Sequence, residues 1–291
     1  MLRGIVVKAF NSYYFIQTAD KVTMCTLRGR FKKERFSLLV GDEVDYIMTG
    51  EDKGVIEHIL PRRSMLRRPM VANVNQVILT FAAVNPDINS VLVDRFLVLA
   101  ELSGLEIVIC INKVDLTDMS EILSLAELYQ NIGYPVLTLS AKHNIGISQL
   151  KEKLFGQISV FAGPSGAGKS TILNAIEPGL QLTTGEVSEK IGRGKHTTRF
   201  AELLPLAGGG FVVDTPGFSF TEFNDVSEAE LMYCFPELAK VSSECKFNTC
   251  LHFKEPQCAV KQAVLDGRIA QQRYDSYLEV LAEIKEAKKG F

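Results

Sequence analysis

The stretch that most restricts how this chain can fold is GPSGAGKS, Gly163 to Ser170. An apolar run, Ile158 to Phe161, leads into it and a helical pattern follows Ser170. That is the strand–loop–helix context a phosphate-binding loop requires. Its glycines let the backbone wrap closely, so that successive N–H groups point inward at phosphate oxygens. Lys169 is expected to neutralise β- and γ-phosphates, and the Ser170 hydroxyl to ligate Mg²⁺. Gly163, Pro164, Ser165, Gly166, Ala167, Gly168, Lys169, Ser170 and Thr171 are therefore candidate nucleotide contacts.

From about Val71, strands alternate with helices. Apolar strand patterns cover Gln76 to Ala82, Glu106 to Ile111, Pro135 to Leu139 and Ile158 to Phe161, with two shorter ones at Ala201 to Leu206 and Gly210 to Val213. Helical spacing covers Val91 to Leu102, Glu121 to Asn131 and Ser148 to Leu154. Such alternation predicts an α/β fold with a mainly parallel, doubly wound sheet.

Three more motifs fall at predicted strand ends, where ligands bind in open α/β sheets. NKVD spans Asn112, Lys113, Val114 and Asp115. A carboxylate there can accept from both the ring imino hydrogen and the exocyclic amine of guanine, whereas adenine would leave its acceptors unpaired. Ser140, Ala141 and Lys142 form SAK and can offer backbone contacts to the guanine carbonyl. DTPG follows, with Asp214 placed to hold Mg²⁺ through water and the Gly217 amide to sense a γ-phosphate. Any one of these short motifs alone is a plain turn; with the phosphate loop, four at strand ends in one domain are not. Their order is rotated. Small GTPases run phosphate loop, DxxG, NKxD, SAK, and here the succession is NKVD, SAK, phosphate loop, DTPG. Neighbouring surface termini make such a permutation physically tolerable.

The chain on either side has a different texture. Residues 1–68 read as short strands, Gly4 to Lys8, Tyr13 to Thr18, Val22 to Leu27, Glu43 to Met48 and Gly54 to Ile59, which suggests a small β-barrel like an OB-fold. A basic loop interrupts them with Arg28, Arg30, Lys32, Lys33 and Arg35, able to contact RNA phosphates, and with Phe31 or Phe36 available to stack on bases. Pro61 to Pro69 looks like a linker. Residues 223–291 hold Cys245, Cys250, His252 and Cys258 and end in a charged helical pattern, Arg268 to Lys289. Three thiolates and an imidazole fill a tetrahedral Zn²⁺ site with no open position, so a structural zinc is expected. Cys25, Cys110 and Cys234 are scattered and read as buried thiols, and His58 and His143 fall in no motif.

Composition sets the remaining bounds. With 291 residues, 46% hydrophobic, there is material for two or three cores, and a net charge of −2 leaves nucleic-acid binding to local patches. Met1 to Phe10 lacks the features of a targeting segment, and the longest apolar runs, such as Val77 to Val84, fall well short of the roughly 18 residues a membrane span needs. A cytoplasmic monomer with no membrane attachment is expected.

The rotated motifs and the C-x₄-C-x-H-x₅-C spacing together resemble the circularly permuted GTPases of the ribosome-small-subunit-dependent type, RsgA. That resemblance implies an OB-fold-like barrel over 1–68, a permuted GTPase domain over 72–222 and a zinc-binding helical domain over 223–291. It implies that the GTP form binds the small ribosomal subunit and its rRNA through barrel and tail, that this stimulates hydrolysis, and that the GDP form leaves, in late maturation of the subunit. Within GRGKHTT, Gly192 to Thr198, the resemblance favours Thr198 over Thr197 as the γ-phosphate-dependent Mg²⁺ ligand. Phe218 stands where Ras-like enzymes place a water-orienting glutamine, so His196 is the candidate catalytic group, as in the family's switch loop. Because the chain leaves DTPG and runs straight into the tail, loss of γ-phosphate is expected to shift the tail. Gly166, where potassium-using GTPases often carry asparagine, argues against K⁺. Two other classes stay open: a non-enzymatic RNA-binding scaffold, which Phe218 would favour, and an ATP-dependent kinase, which NKVD disfavours.

Overall fold

The first five strands close on themselves. In the computed structural model, which describes residues 1–19, 21–29, 38–67, 69–180, 201–214, 223 and 226–289, these are β1 (Leu2–Phe10), β2 (Tyr13–Gln17), β3 (Val22–Leu27), β4 (Glu43–Met48) and β5 (Lys53–Ile59). They form a closed barrel in the order β1-β2-β3-β5-β4. Val6, Ile16, Cys25, Val44, Tyr46 and Ile56 fill its interior. Gly54 is needed because a Cβ there would lie 2.8 Å from the Cys25 sulfur and 2.9 Å from the Ile47 carbonyl oxygen.

The segment expected to be a linker is more ordered than its composition suggests. Met65–Arg67 (β6) and Met70–Ala72 (β7) pair as an antiparallel hairpin. Two side chains hold it to the barrel's end. Arg62 donates to both oxygens of the fully buried Asp42 at 2.7 and 2.8 Å. Asn73, in the left-handed region at φ 57°, donates to the Gly41 carbonyl and accepts from the Arg63 amide. Local composition does not reveal it, because both anchors are long-range.

The chain divides into two units, one of 1–78, 147–162 and 169–218 and another of 79–146, 163–168 and 219–291. The six-stranded sheet contains β8 (Gln76–Ala82), β9 (Glu106–Asn112), β10 (Val136–Thr138), β11 (Ile158–Ala162), β12 (Glu202–Pro205) and β13 (Phe211–Asp214), in the order β10-β9-β8-β11-β13-β12. The pairs β9–β10 and β11–β13 are parallel, and β12 is an antiparallel edge. Every residue of β8 is buried, as expected for a strand covered on both faces.

Among the described residues, the helices α1 (Ser90–Glu101), α2 (Met119–Ile132), α3 (Ile147–Leu154) and α4 (Lys169–Ile176) connect these strands. Asn89 caps α1 by accepting from the Val91 and Leu92 amides, and Asp118 caps α2 through the Ser120 amide. In the tail, Ser227 and Glu230 form a capping box on α5 (Glu228–Leu231), which is followed by α6 (Pro236–Ser242), α7 (Ala259–Leu265) and α8 (Gln271–Lys289). Their core of Phe235, Leu238, Val260, Tyr277, Leu281 and Ile284 also takes in Val98 of α1. Cys25, Cys110 and Cys234 are buried thiols, as expected. Among the described residues no helix is long and apolar enough to cross a membrane.

Candidate nucleotide site and metal centre

Within the second unit, the glycine-rich loop and the NKVD loop are knitted together by one side chain. Asn112 ends β9, is 2% exposed, and donates from Nδ2 to the Ala167 carbonyl at 3.1 Å. Its Oδ1 accepts from the Ala141 amide, also at 3.1 Å. One planar amide thus ties the glycine-rich loop to the SAK loop, and burial makes both bonds costly to lose. The loop can come this close only because Gly168 lacks a Cβ, which would lie 2.3 Å from Asn112 Nδ2. Gly163 is similarly required: at φ 141° its Cβ would sit 1.9 Å from the Thr80 carbonyl oxygen.

Lys113 adopts the left-handed conformation, φ 63°, and its ammonium donates to the Asn85 carbonyl. Asp115 follows in a 3-10 turn, Val114–Leu116. The Ser140 hydroxyl, hydrogen-bonded to the Asp115 carboxylate, holds it below its ordinary range, with His143 and Lys142 adding positive potential. Ser140 and Ile145 exchange both backbone hydrogen bonds, at 3.1 and 3.0 Å, so the SAK loop is a closed hairpin turn. A carboxylate kept ionised beside rigid backbone amides is suited to a planar partner with two adjacent N–H donors.

In the first unit, Lys169, Ser170 and Thr171 form the first turn of α4. Burial pushes the Lys169 ammonium below its ordinary value. Asp214 ends β13 opposite Glu202 of β12. Burial first, and then the Glu202 charge, raise its carboxyl above the ordinary range. Arg28 is ion-paired to Glu57 on β5. His196, Thr197, Thr198, Gly217 and Phe218 lie outside the described residues, as do Arg30, Phe31, Lys32, Lys33, Arg35 and Phe36.

The tail brings its four candidate ligands together. The ligand atoms of Cys245, Cys250, His252 and Cys258 all lie within 4.8 Å of one another. His252 Nδ1 is 3.6 Å from the Cys245 sulfur and 3.3 Å from that of Cys258, and those two sulfurs are 3.9 Å apart. A tetrahedral ion bonded at about 2.3 Å to sulfur and about 2.0 Å to nitrogen needs ligand atoms roughly 3.5–3.8 Å apart, so the set fits a metal ion. Burial pushes the Cys250 thiol up to about 12, and a bound cation would reverse that shift by favouring the thiolate. The surrounding loop is held by groups absent from the motif. Glu255 accepts from the Leu251 and Phe253 amides, and Tyr274 and Tyr277 donate to the His252 and Leu251 carbonyls at 2.6 and 2.8 Å. Glu255 lies near enough in sequence to have been suspected; the tyrosines, on α8, gave no local signal.

A parallel sheet bearing a glycine-rich phosphate loop, locked by an asparagine to guanine-type loops that precede it in the chain, defines a circularly permuted P-loop nucleotide-binding protein. Comparison with known proteins narrows this. Residues 59–224 match the RsgA GTPase family, and residues 3–56 the RsgA N-terminal domain. A small ribosomal subunit biogenesis GTPase RsgA of Caldanaerobacter subterraneus subsp. tengcongensis is 46% identical over 288 residues, 99% of this chain and 97% of that one. The crystal structure of YloQ, a circularly permuted GTPase, aligns with a TM-score of 0.84 at 41% identity, over 98% of this chain and 95% of YloQ. YjeQ from Thermotoga maritima aligns at 0.85 and 42%, over 97% and 98% of the two chains. The chain belongs to the RsgA GTPase family and is a GTP hydrolase.

Proposed function

We propose that this chain binds GTP with Mg²⁺ and hydrolyses it in a cycle that serves late maturation of the small ribosomal subunit. The observation that carries the nucleotide assignment is the Asn112 amide, shared between the glycine-rich loop and the SAK loop. Asp115 accepts the guanine imino and amino hydrogens, and the backbone of Ser140, Ala141 and Lys142 meets the guanine carbonyl, with Lys113 supporting the pocket from Asn85. Gly163 to Thr171 wrap the phosphates, with the Lys169 charge toward the β- and γ-groups. Ser170, Thr198 and Asp214 would hold the Mg²⁺, which would supply charge neutralisation on the phosphate oxygens. The Gly217 amide senses the γ-phosphate. His196 orients the attacking water, whose oxygen bonds to the γ-phosphorus as the bond to the β–γ bridging oxygen breaks, giving GDP and phosphate.

Cys245, Cys250, His252 and Cys258 hold one structural Zn²⁺, a closed ligand set that leaves no position for a reacting group. The barrel's Arg28, Arg30, Lys32, Lys33 and Arg35 contact rRNA phosphates. The GTP form binds the subunit, the subunit accelerates hydrolysis, and the GDP form, a cytoplasmic monomer, leaves. The relatives named above support the subunit as partner. Phosphate release by wild type and His196→Ala, each with and without purified small subunits, tests both parts. Subunits should accelerate the wild type, and the variant should lose about 10²-fold or more of the stimulated rate. Equal rates for the two proteins remove His196, and an absence of stimulation removes the subunit.

A further inference from the structure

His143 lies in none of the four motifs, yet the SAK hairpin delivers it to the residue that would read the base. The turn from Ser140 to Ile145 is closed by two backbone hydrogen bonds, Asn144 takes the left-handed conformation at φ 58°, and the His143 amide donates to the Ser140 hydroxyl at 3.3 Å. The imidazole Nε2 then lies 3.5 Å from Asp115 Oδ2. Lys142, on the same turn, is the other charged group contributing to the field at that carboxylate. Among the described residues Asp115 is the one acidic group paired with the ring, whose side chain is 53% exposed to solvent.

A carboxylate offers about four lone-pair sites. Ser140 takes one, and on the nucleotide assignment above, guanine's imino and amino hydrogens take two more. His143 Nε2, 3.5 Å from Oδ2, faces the remaining position at an ion-pair rather than a hydrogen-bond separation. A neutral imidazole there leaves the carboxylate's charge to the base. A protonated imidazole competes for that charge and sets a full positive charge beside the guanine edge, whose two N–H groups are themselves positive. Histidine ordinarily changes charge between pH 5 and 8.

We infer that His143 is a positioning residue for guanine recognition, which acts on the Asp115 carboxylate through its charge and weakens guanine binding when protonated. It acts through Asp115 and takes no part in phosphate chemistry. Because the pair is solvent-exposed and screened, the effect is about two- to fivefold in affinity. This rests on Asp115 being the guanine-reading carboxylate, so the test separates the two.

Calorimetric titration of GDP at fixed salt, from pH 8 to pH 5.5, is compared for wild type, His143→Gln, His143→Ala and Asp115→Ala. The terminal phosphate of GDP titrates in this range for every protein and cancels in the ratio of wild type to variant. Wild type should lose about two- to fivefold more affinity on acidification than His143→Gln. Both His143 variants lack the ring's charge and should match wild type at pH 8. Asp115→Ala should lose its preference for GDP over ADP. If both His143 variants parallel wild type at every pH while Asp115→Ala loses that preference, the role of His143 is refuted and the guanine assignment stands. If Asp115→Ala still prefers GDP, the guanine assignment itself fails.

Discussion

Replacing Arg273 with methionine should unfold the second unit's tail more readily than any surface change. Arg273 lies on α8 with its side chain 1% exposed. It donates to Asp94 of α1 at 2.5 Å and to both oxygens of Glu237 of α6 at 2.6 and 3.2 Å. Its guanidinium also lies over the Phe235 ring, 4.5 Å from the centroid. The Tyr129 hydroxyl adds a 2.7 Å bond to Asp94, which is fully buried. One cation therefore serves two carboxylates, and its removal strands Asp94 in a dry core and leaves the part-buried Glu237 unpaired. Breaking a buried pair from one side costs about 3–5 kcal/mol. At about 2–4 °C per kcal/mol for a body of this size, the thermal midpoint should fall by roughly 6–20 °C.

The pH dependence has a definite sign. Burial already outweighs Arg273 and holds the Asp94 carboxyl above its ordinary value. Without the guanidinium it would rise further. A carboxyl whose folded-state pKa is raised adds stability below its unfolded value and loses it as pH climbs through the folded value. The gap between Arg273→Met and wild type should therefore be widest at neutral pH and narrow on acidification. Thermal unfolding by circular dichroism at pH 7.5 and pH 5 measures it. Adding Asp94→Asn and Glu237→Gln to Arg273→Met should recover most of the loss, because no buried charge then remains. A single variant within about 1 kcal/mol of wild type at both pH values would refute the reasoning.

Two further outcomes follow. Gly168→Ala should weaken GDP binding by at least about tenfold with the circular dichroism spectrum unchanged, since its Cβ would collide with Asn112 Nδ2 at 2.3 Å; unaltered affinity would mean that the loops need not touch. Stripping metal with a strong chelator should release about one Zn²⁺ per chain, read by a colorimetric indicator, and lower the tail's thermal midpoint, because metal binding and folding are linked. Cys258→Ser should behave as the stripped protein does, and a variant that keeps full zinc would exclude the four-residue site.

Much of this was legible before any coordinates, for local reasons. Glycine at 163, 166 and 168 and the apolar runs of β8, β9 and β11 announce a strand–loop–helix phosphate loop, and short strands separated by glycines and charged residues signal the barrel. The cysteine and histidine spacing pointed to one metal centre, whose ligand atoms do converge. What stayed hidden depends on partners far away in sequence. Nothing near Arg273 reveals that Asp94, 179 positions earlier, is its counter-ion. The β6–β7 hairpin is held through Asp42 and Gly41, so a stretch rich in arginine and proline read as linker. The short helices α5, α6 and α7 are too brief for periodicity to signal, and their shared core with Val98 of α1 is tertiary. His143 is a lone histidine after a motif and carries no sequence pattern, although the closed turn of SAK brings it to Asp115.

At the centre stands the claim that Asp115 reads guanine for the same nucleotide whose phosphates the glycine-rich loop wraps. Asp115→Asn tests it most directly, because asparagine presents an N–H where the carboxylate presented an acceptor, and xanthine presents a carbonyl where guanine presents an amine. Titrating GDP and xanthosine diphosphate into both proteins should show wild type preferring GDP and the variant preferring the xanthine nucleotide, with both affinities abolished in either background by Lys169→Ala. Unchanged GDP preference in Asp115→Asn would contradict the claim.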